Sequence, residues 1–376
     1  ASTVHFDEIS KDKIFQSIDK IKGMKTLIKE SYVSLKNRLG RIPLLYDFYE
    51  NQEIDPLVII REYKTYDAFM VAMEQDKYKN VLNEQEKLTL EYLSKTVLSG
   101  VRPDELVILS QLLHRDHIAV ADFIKEFQNT YGIEISTSRV KEAVQVLQGH
   151  FVSKEAEYQK YCQIDILEND RAGMIKRLQS YTERLTHIPF YTQVEDIIKV
   201  GIARYKEKYL PGIKSEDPFV LYEKYSRRDV SLLMNCGKDL SSIMYGMKRI
   251  ENDVFIFITY HKEESQDEKN YVDGKPDYAD AFEDNLIFKW DSQIGKGLDS
   301  SYMKDVLEAD RKHLFVKKSD AETSFYYMGQ FDVLEARNAQ KEDNRGRMQP
   351  ITKVTMKMHH AVREDLLRYL QSHITA

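Results

Sequence analysis

The chain has 376 residues, a net charge of −6 at pH 7 and a sequence pI near 6.0. Hydrophobic residues make up 42% and charged residues 31%, so the chain can bury a sizeable core, and its length predicts at least two domains. The negative charge excludes a protein that coats nucleic acid by bulk attraction. A site for a polyanion must therefore be a local basic patch.

The two cysteines, Cys162 and Cys236, are far apart and lack the spacing of a zinc site. They predict neither disulfides nor a metal centre, and they favour a reducing, cytoplasmic location. No apolar run approaches the roughly 18 to 20 residues of a membrane span, and the polar N-terminus is not typical of a signal peptide. The sequence opens without methionine, so we expect a fragment whose catalytic parts lie outside it.

The first half of the chain has the periodicity of helices. Ile14, Ile18 and Ile21 begin a series of apolar residues at steps of three and four, which forms one stripe along a helix. Later segments repeat this pattern as far as residue 209. The sequence therefore predicts an all-helical coupler domain over residues 1–210, with a division into two sub-bundles near 150–165 as an alternative.

A boundary is predicted at residues 209–218, where two prolines, a glycine and mixed charges interrupt the helical pattern. A helix is predicted from residue 217 to 235. Beyond it, strands rich in β-branched and aromatic residues alternate with short helices. We predict that residues 217–376 form a curled sheet or pseudo-β-barrel with flanking helices, which makes the whole chain α+β.

Motifs of the common catalytic centres are absent from the sequence, including GxxxxGK[ST], GxSxG, HExxH and a histidine with lysine two positions on. The nearest approach to a metal-dependent nuclease is Asp55 with Glu62 and Lys64, since such sites need carboxylates for Mg²⁺ and a lysine near the phosphate. This spacing also arises by chance in a charged helical stretch. We therefore expect no catalytic centre, metal or cofactor in this chain.

Five motifs follow one another in the second half: YSRRDV (225–230), FITYHK (257–262), YADAF (278–282), FKWDSQ (288–293) and HLFVKK (313–318). In this order they resemble the terminal domain, long catalogued as of unknown function, of large bacterial proteins that combine a phospholipase-D-type nuclease with a DEAD-box helicase. The helical half resembles the linker region of the same proteins, through a vaguer match.

These proteins include type IV, modification-dependent restriction endonucleases. The resemblance implies a target-recognition and coupling portion, with nuclease and helicase modules upstream in the same polypeptide that use ATP and Mg²⁺. It implies double-stranded DNA with 5-methylcytosine or hydroxymethylcytosine as the partner, and no membrane. A dimer stays open. The family supplies no base-contacting residues to carry over, so the site predictions rest on chemistry.

A protein that detects one methyl group gains only about 1–3 kcal/mol from an apolar pocket. A base flipped out of the duplex suits this task, because aromatic faces stack on it and an acid or amide reads its edge. The candidate base-recognition residues are Tyr260, His261, Tyr278, Asp280, Phe282, Trp290, Asp291, Ser292 and Gln293, with Tyr302 as a further stacker. The candidate phosphate contacts are Arg227, Arg228, Lys248, Arg249, Lys262, Lys317, Lys318, Arg345 and Arg347, with Lys353 and Lys357 beside them.

Alternation along residues 285–293 sends Leu286, Phe288 and Trp290 to one face of a strand, so the tryptophan is more typical of a core than of a base cage. The polar strand end at 291–293 is the sharper prediction for base reading. Two alternatives stay open. One is a clamp on the duplex backbone, and the other is a protein-interaction scaffold, with which the negative charge is consistent.

Overall fold

The computed structural model describes residues 23–74, 77–79, 81–170, 173–213, 217–261, 271–272, 275–276, 280–320, 322–343 and 345–372. The described residues divide into two compact units. The helical unit takes those of Ile14–Pro218 and Asp229–Asp239, and the sheet unit takes those of Phe219–Arg228 and Leu240–Ala376. No helix in the described ranges is long and apolar enough to cross a membrane.

The helical unit is built on an extended apolar core. Local signals explain several helix ends: Gly40 adopts a left-handed conformation after α1, Pro56 lies in the first turn of α3, and Asn83 forms a capping box with Glu86 at the start of α5. The helices are α1 (Met24–Leu39), α2 (Leu45–Glu50), α3 (Pro56–Tyr63), α4 (Tyr66–Glu74), α5 (Glu84–Val97), α6 (Asp104–Leu112), α7 (Val120–Tyr131), α8 (Thr137–Leu147), α9 (Glu155–Tyr161), α10 (Gln179–Leu185) and α11 (Ile188–Arg204).

A small antiparallel sheet interrupts these helices, so the prediction of an all-helical domain is corrected. Its strands are β1 (His117–Ala119), β2 (Leu167–Asn169) and β3 (Met174–Arg177), with β3 in the middle. Each strand has only three or four residues, which is too short for a recognisable period of two.

The described residues of the sheet unit form an eight-stranded mixed sheet and a separate antiparallel pair of short strands at 271–272 and 275–276, and the mixed sheet confirms the α+β class. The order of the mixed sheet is β5-β6-β11-β12-β13-β10-β9, with β4 paired to β12; β6 and β11 are parallel, and this sheet is not closed into a barrel. The strands are β4 (Lys224–Tyr225), β5 (Met247–Ile250), β6 (Asp253–His261), β7 (Tyr271–Val272), β8 (Lys275–Pro276), β9 (Ala281–Phe282), β10 (Ile287–Asp291), β11 (Arg311–Ser319), β12 (Phe325–Glu342) and β13 (Met348–Met358). The helices are α13 (Ser301–Glu308) and α14 (Glu364–Gln371), and α12 (Arg227–Leu233) begins in this unit and ends in the segment that belongs to the helical unit.

The helix predicted from residue 217 is wrong over its first ten residues, because their backbone groups pair with β12. Tyr222 N donates to Tyr327 O at 2.8 Å, and Tyr327 N donates to Glu223 O at 2.9 Å. The strand β4 follows, and α12 begins only at Arg227. Tertiary pairing has therefore overridden the local helical pattern.

Both faces of the central strands are buried. Val254, Ile256 and Leu314 face α13 and α14 in an aliphatic core. On the opposite face Phe255 and Phe315 pack against Phe219, with ring centroids 5.9 Å and 5.3 Å from it. The strands consequently appear in the sequence as continuous apolar runs.

The strands β12 and β13 extend beyond the rest of the sheet. Neither β11 nor β10 reaches the stretch in which 338–342 pair with 348–352. In the described residues this stretch is a two-stranded antiparallel extension, about 17 Å long from its five residues a strand. The loop after β10 flanks its inner end, where Ser292 N and Gly295 N donate to Thr352 O and Pro350 O. We call residues 334–353 the ribbon.

Candidate nucleic-acid interface

Strand register places Arg337 and Lys353 of the ribbon on the same face of the sheet as Asp291. Arg337 lies opposite Lys353 across β12 and β13, and Asp291 lies opposite Lys353 across β10 and β13. Residues opposite each other share a face of the sheet, so these three form one row. Trp290 and Val354 point to the other face, where both are buried in the core.

The ribbon is a basic segment of an acidic chain. It carries five basic and three acidic side chains, a net charge of +2, whereas the whole chain carries −6. Arg337 and Arg347 are exposed and pair with Glu335 at 3.7 Å and Asp343 at 2.9 Å. Exposed ion pairs contribute little stability, so both guanidinium groups can exchange a carboxylate for a phosphate.

Asp291 lies at the base of the ribbon, where its side chain is 10% exposed. Lys353 Nζ donates to its two carboxylate oxygens at 3.1 Å and 3.2 Å. Burial raises the pKa of Asp291, and Lys353 opposes that rise. Asp280 is next to it, because the Asp291 backbone N donates to Asp280 Oδ1 at 2.9 Å. Two predicted base readers are thus brought together, with one of them held by a lysine.

Ser292 closes a loop onto β13, so its predicted role as a base reader is corrected. Its hydroxyl donates to Lys296 O at 2.6 Å and accepts from Thr352 N at 2.8 Å. The side chain is buried and its hydrogen bonds stay within the protein. Gln293 is exposed, and its amide Nε2 donates to Tyr245 O at 3.1 Å.

The described aromatic candidates do not line an open cleft. Tyr260, Phe282 and Trp290 are buried members of the core, as alternation predicts for the tryptophan. The prediction that these three side chains stack on a base is corrected, because a base cannot reach them in this arrangement. Tyr302 is half-buried beside Trp290, with ring centroids 6.3 Å apart. His261 is also buried, and its Nε2 donates to Leu370 O at 2.7 Å. The predicted sites Tyr278 and Lys262 lie outside the described residues.

Two lysines predicted to bind phosphate are engaged within the sheet unit. Lys318 is 4% exposed, and its Nζ donates to Ser372 Oγ at 2.7 Å. The predicted phosphate contact at Lys318 is therefore corrected, because its ammonium group is buried and a phosphate cannot reach it. Lys317 Nζ donates to Glu322 O at 2.9 Å.

The predicted arginines differ in where they lie. Arg249 Nε donates to Glu251 O at 3.0 Å, and Arg228 and Lys248 are half-buried. The Arg227 guanidinium lies among aromatic rings. Of the predicted phosphate contacts, Arg345 and Arg347 lie in the ribbon.

Sequence reasoning missed Arg337 and Lys341, although both are exposed on the ribbon. Their stretch, ARNAQKE, is polar on both sides and has no apolar alternation. A run of polar residues directly after a strongly apolar strand was the available signal.

The alternative nuclease site does not assemble. Asp55 caps the start of α3, where it accepts from Leu57 N at 2.8 Å and pairs with Arg204 at 2.8 Å. Lys64 follows the opposite end of this eight-residue helix, about 12 Å away along the axis. Within the described residues, no group of His, Cys, Asp and Glu side chains is arranged to hold a metal ion.

No curated protein matches the chain. A solved structure described as "Sulfur binding domain and SRA domain of ScoMcrA complexed with phosphorothioated DNA" is 10% identical and covers 73% of this chain and 88% of that chain, with a TM-score of 0.23. That score is too low to indicate a shared fold or a shared function.

Two family models match successive parts of the chain. Residues 28–209 match a model described as "Domain of unknown function (DUF8090)", and residues 219–370 match one described as "Domain of unknown function (DUF3427)". The second describes a family of helicase-associated C-terminal domains. The second half of the chain is therefore similar to a terminal domain of helicase-containing proteins, as the ordered motifs predicted.

Proposed function

We propose that the sheet unit binds duplex DNA and that the ribbon is its principal contact. The observation that carries this proposal is the basic ribbon, which ends in a two-stranded extension of the sheet, in a chain whose net charge is negative. A two-stranded β-ribbon fits the width of the major groove. Exposed arginines and lysines supply the phosphate contacts on which affinity for a duplex depends.

We further propose that this binding serves target recognition in an ATP-dependent type IV restriction endonuclease, in an arrangement like that of SauUSI. The preferred duplex would contain 5-methylcytosine or hydroxymethylcytosine, and nuclease and helicase modules would lie upstream. The match to a helicase-associated family and the order of the motifs support this proposal.

Removal of three ribbon charges tests the contact. We expect the triple variant R337A/K341A/R347A to bind a short duplex more weakly and with a shallower salt dependence. Each lost phosphate contact lowers the slope of log K against log salt by about 0.9. Fluorescence anisotropy from 50 to 200 mM salt measures it, and K125A/K141A, which removes two exposed lysines of the helical unit, is the control.

The same titrations separate the competing functions. Equal loss in the control and the ribbon variant would contradict the ribbon as the contact. Duplexes of one sequence with and without 5-methylcytosine test the finer proposal, and equal affinity across the salt series would leave a backbone clamp. If the unaltered chain does not bind a duplex even at low salt, the protein-interaction scaffold is favoured.

A further inference from the structure

Tyr245 is a large aromatic side chain on the surface of the sheet unit. The residue is 64% exposed, although buried aromatic side chains lie on the same side of the sheet unit. Ile243, two residues earlier, is also exposed, and so is Ile294 in the loop that Ser292 closes. None of these three residues is explained by the core or by the ribbon charges.

A guanidinium group supports one side of the Tyr245 ring. Arg227 Cζ lies 4.8 Å from the Tyr245 centroid, and it also lies 5.1 Å from the Phe325 ring and 5.5 Å from the Phe257 ring. Phe325 and Phe257 are buried, so the arginine links a surface ring to the aromatic side of the sheet. Such stacking limits the rotation of Tyr245 and lowers the entropy lost when a ligand binds.

The backbone beside Tyr245 is tied to the base of the ribbon. Gln293 Nε2 donates to Tyr245 O at 3.1 Å, and Gly295 N donates to Pro350 O at 2.9 Å. Gly246 permits this approach, because it has φ +75° and a Cβ there would lie 2.7 Å from Gln293 Nε2. The exposed ring and strand β13 are therefore joined through one short hydrogen-bonded loop.

We propose that Tyr245 is a stacking platform for a nucleobase that is unpaired or has left the helix in a duplex bound by the ribbon. This inference rests on the proposed function. Aromatic faces accept any base, since every base has a π-face. Tyr245 would thus supply the stacking contact that Tyr260, Phe282 and Trp290 cannot make, because those three side chains are buried.

The test compares two duplexes that differ at one position. One is fully paired, and the other carries a single 2-aminopurine opposite an abasic site, so that the base is unpaired. We expect the unaltered chain to prefer the second duplex by about 5-fold to 100-fold, the range that stacking of one base supplies. We also expect quenching of the 2-aminopurine fluorescence, since the base stacks on the ring.

The variant Y245A should bring the preference close to 1 and abolish the quenching, whereas Y245F, which keeps the ring, should retain both. I188A removes an exposed apolar side chain of the helical unit and is the control. Circular dichroism and Tm establish that each variant is folded. If Y245A keeps the preference or the quenching, Tyr245 is not the stacking platform. The same result is expected if the exposed patch contacts a protein instead of a base.

The outcomes distinguish this inference from the proposed function. Binding of both duplexes with no preference for the unpaired base overturns the platform and leaves the ribbon as a duplex contact. Absence of binding to either duplex at low salt overturns both proposals.

Discussion

At the scale of single residues, Lys353 determines how much positive charge the ribbon base presents to a ligand. Its ammonium group lies on a half-exposed side chain, yet it is engaged by the largely buried carboxylate of Asp291. Asp280 adds a second carboxylate nearby. Whether Asp291 holds the lysine or reads a base is therefore a question that one substitution can answer.

We expect D291N to raise duplex affinity about 2-fold to 5-fold, because it removes a charge that repels phosphate and releases Lys353. The increase should be equal for methylated and unmethylated duplexes, and competition binding of the two duplexes measures it. D122N, which removes an exposed carboxylate of the helical unit, is the control. A selective loss of affinity for the methylated duplex would show instead that Asp291 accepts from cytosine N4.

Asp55 provides a pH-dependent contribution to the helical unit. Burial by itself would raise the pKa of Asp55, but Arg204, Lys208 and the Leu57 amide outweigh it and lower the pKa to about 2. A carboxyl group with a lowered pKa stabilises the fold above its unfolded-state pKa near 3.8 and loses that contribution as the pH falls toward 2.

We expect the unaltered chain to lose about 2 kcal/mol of unfolding free energy through this group between pH 4 and pH 2. Urea denaturation across that range measures the loss, and D55N should show a shallower pH dependence by this amount. An identical pH dependence in D55N would contradict the ion pair as the cause.

At the scale of elements, the segment Asp229–Asp239 is fastened to the helical unit by a buried arginine. Arg102 Nη1 donates to Leu232 O at 2.8 Å, and Arg102 pairs with Glu105 in the interior. Ser99 Oγ donates to Asp229 Oδ1 at 3.0 Å. One buried side chain therefore connects α6 with a segment some 130 residues later in the chain.

We expect R102M to lower the unfolding free energy by about 3–5 kcal/mol, because it leaves the Glu105 carboxylate buried without its arginine. The double variant R102M/E105L should recover a large part of the loss. Denaturation measures both, and hydrogen exchange should show the amides of 229–239 losing protection in R102M. Unchanged protection there would mean that other contacts hold the segment.

The elements also show what sequence patterns can and cannot predict. The strand from Ile287 to Asp291 was predictable, because Phe288 and Trp290 alternate with polar neighbours, and the core confirms it. The distal ribbon was not, since β12 has no regular apolar alternation beyond Phe331, and of residues 338–342 and 348–352 only Ile351 and Thr352 are buried. The stretch before Arg227 was mistaken for a helix, because its partner strand lies 100 residues away.

At the scale of the whole molecule, composition predicted more than individual residues did. An acidic chain that binds a polyanion must concentrate its cations locally, and the ribbon, with a net charge of +2, is one such segment. The site residues were less predictable, because burial depends on the three-dimensional packing: Tyr260 and Lys318 have suitable chemistry but lie inside, whereas Tyr245 lies outside. Periodicity does not reveal which aromatic side chain remains exposed.

The division of the chain into units has a practical consequence for genetic manipulation. The two family models meet between residues 209 and 219, so a gene truncated there would encode residues 1–218 as one product. That product would lack Asp229–Asp239, and with it the carbonyl group of Leu232 that Arg102 binds. Because Phe219–Arg228 belong to the sheet unit and Asp229–Asp239 to the helical unit, no single junction keeps both units whole. Chimeras that exchange sheet units between relatives should therefore take residues 219–228 and 240–376 from one parent and residues 229–239 from the parent of the helices.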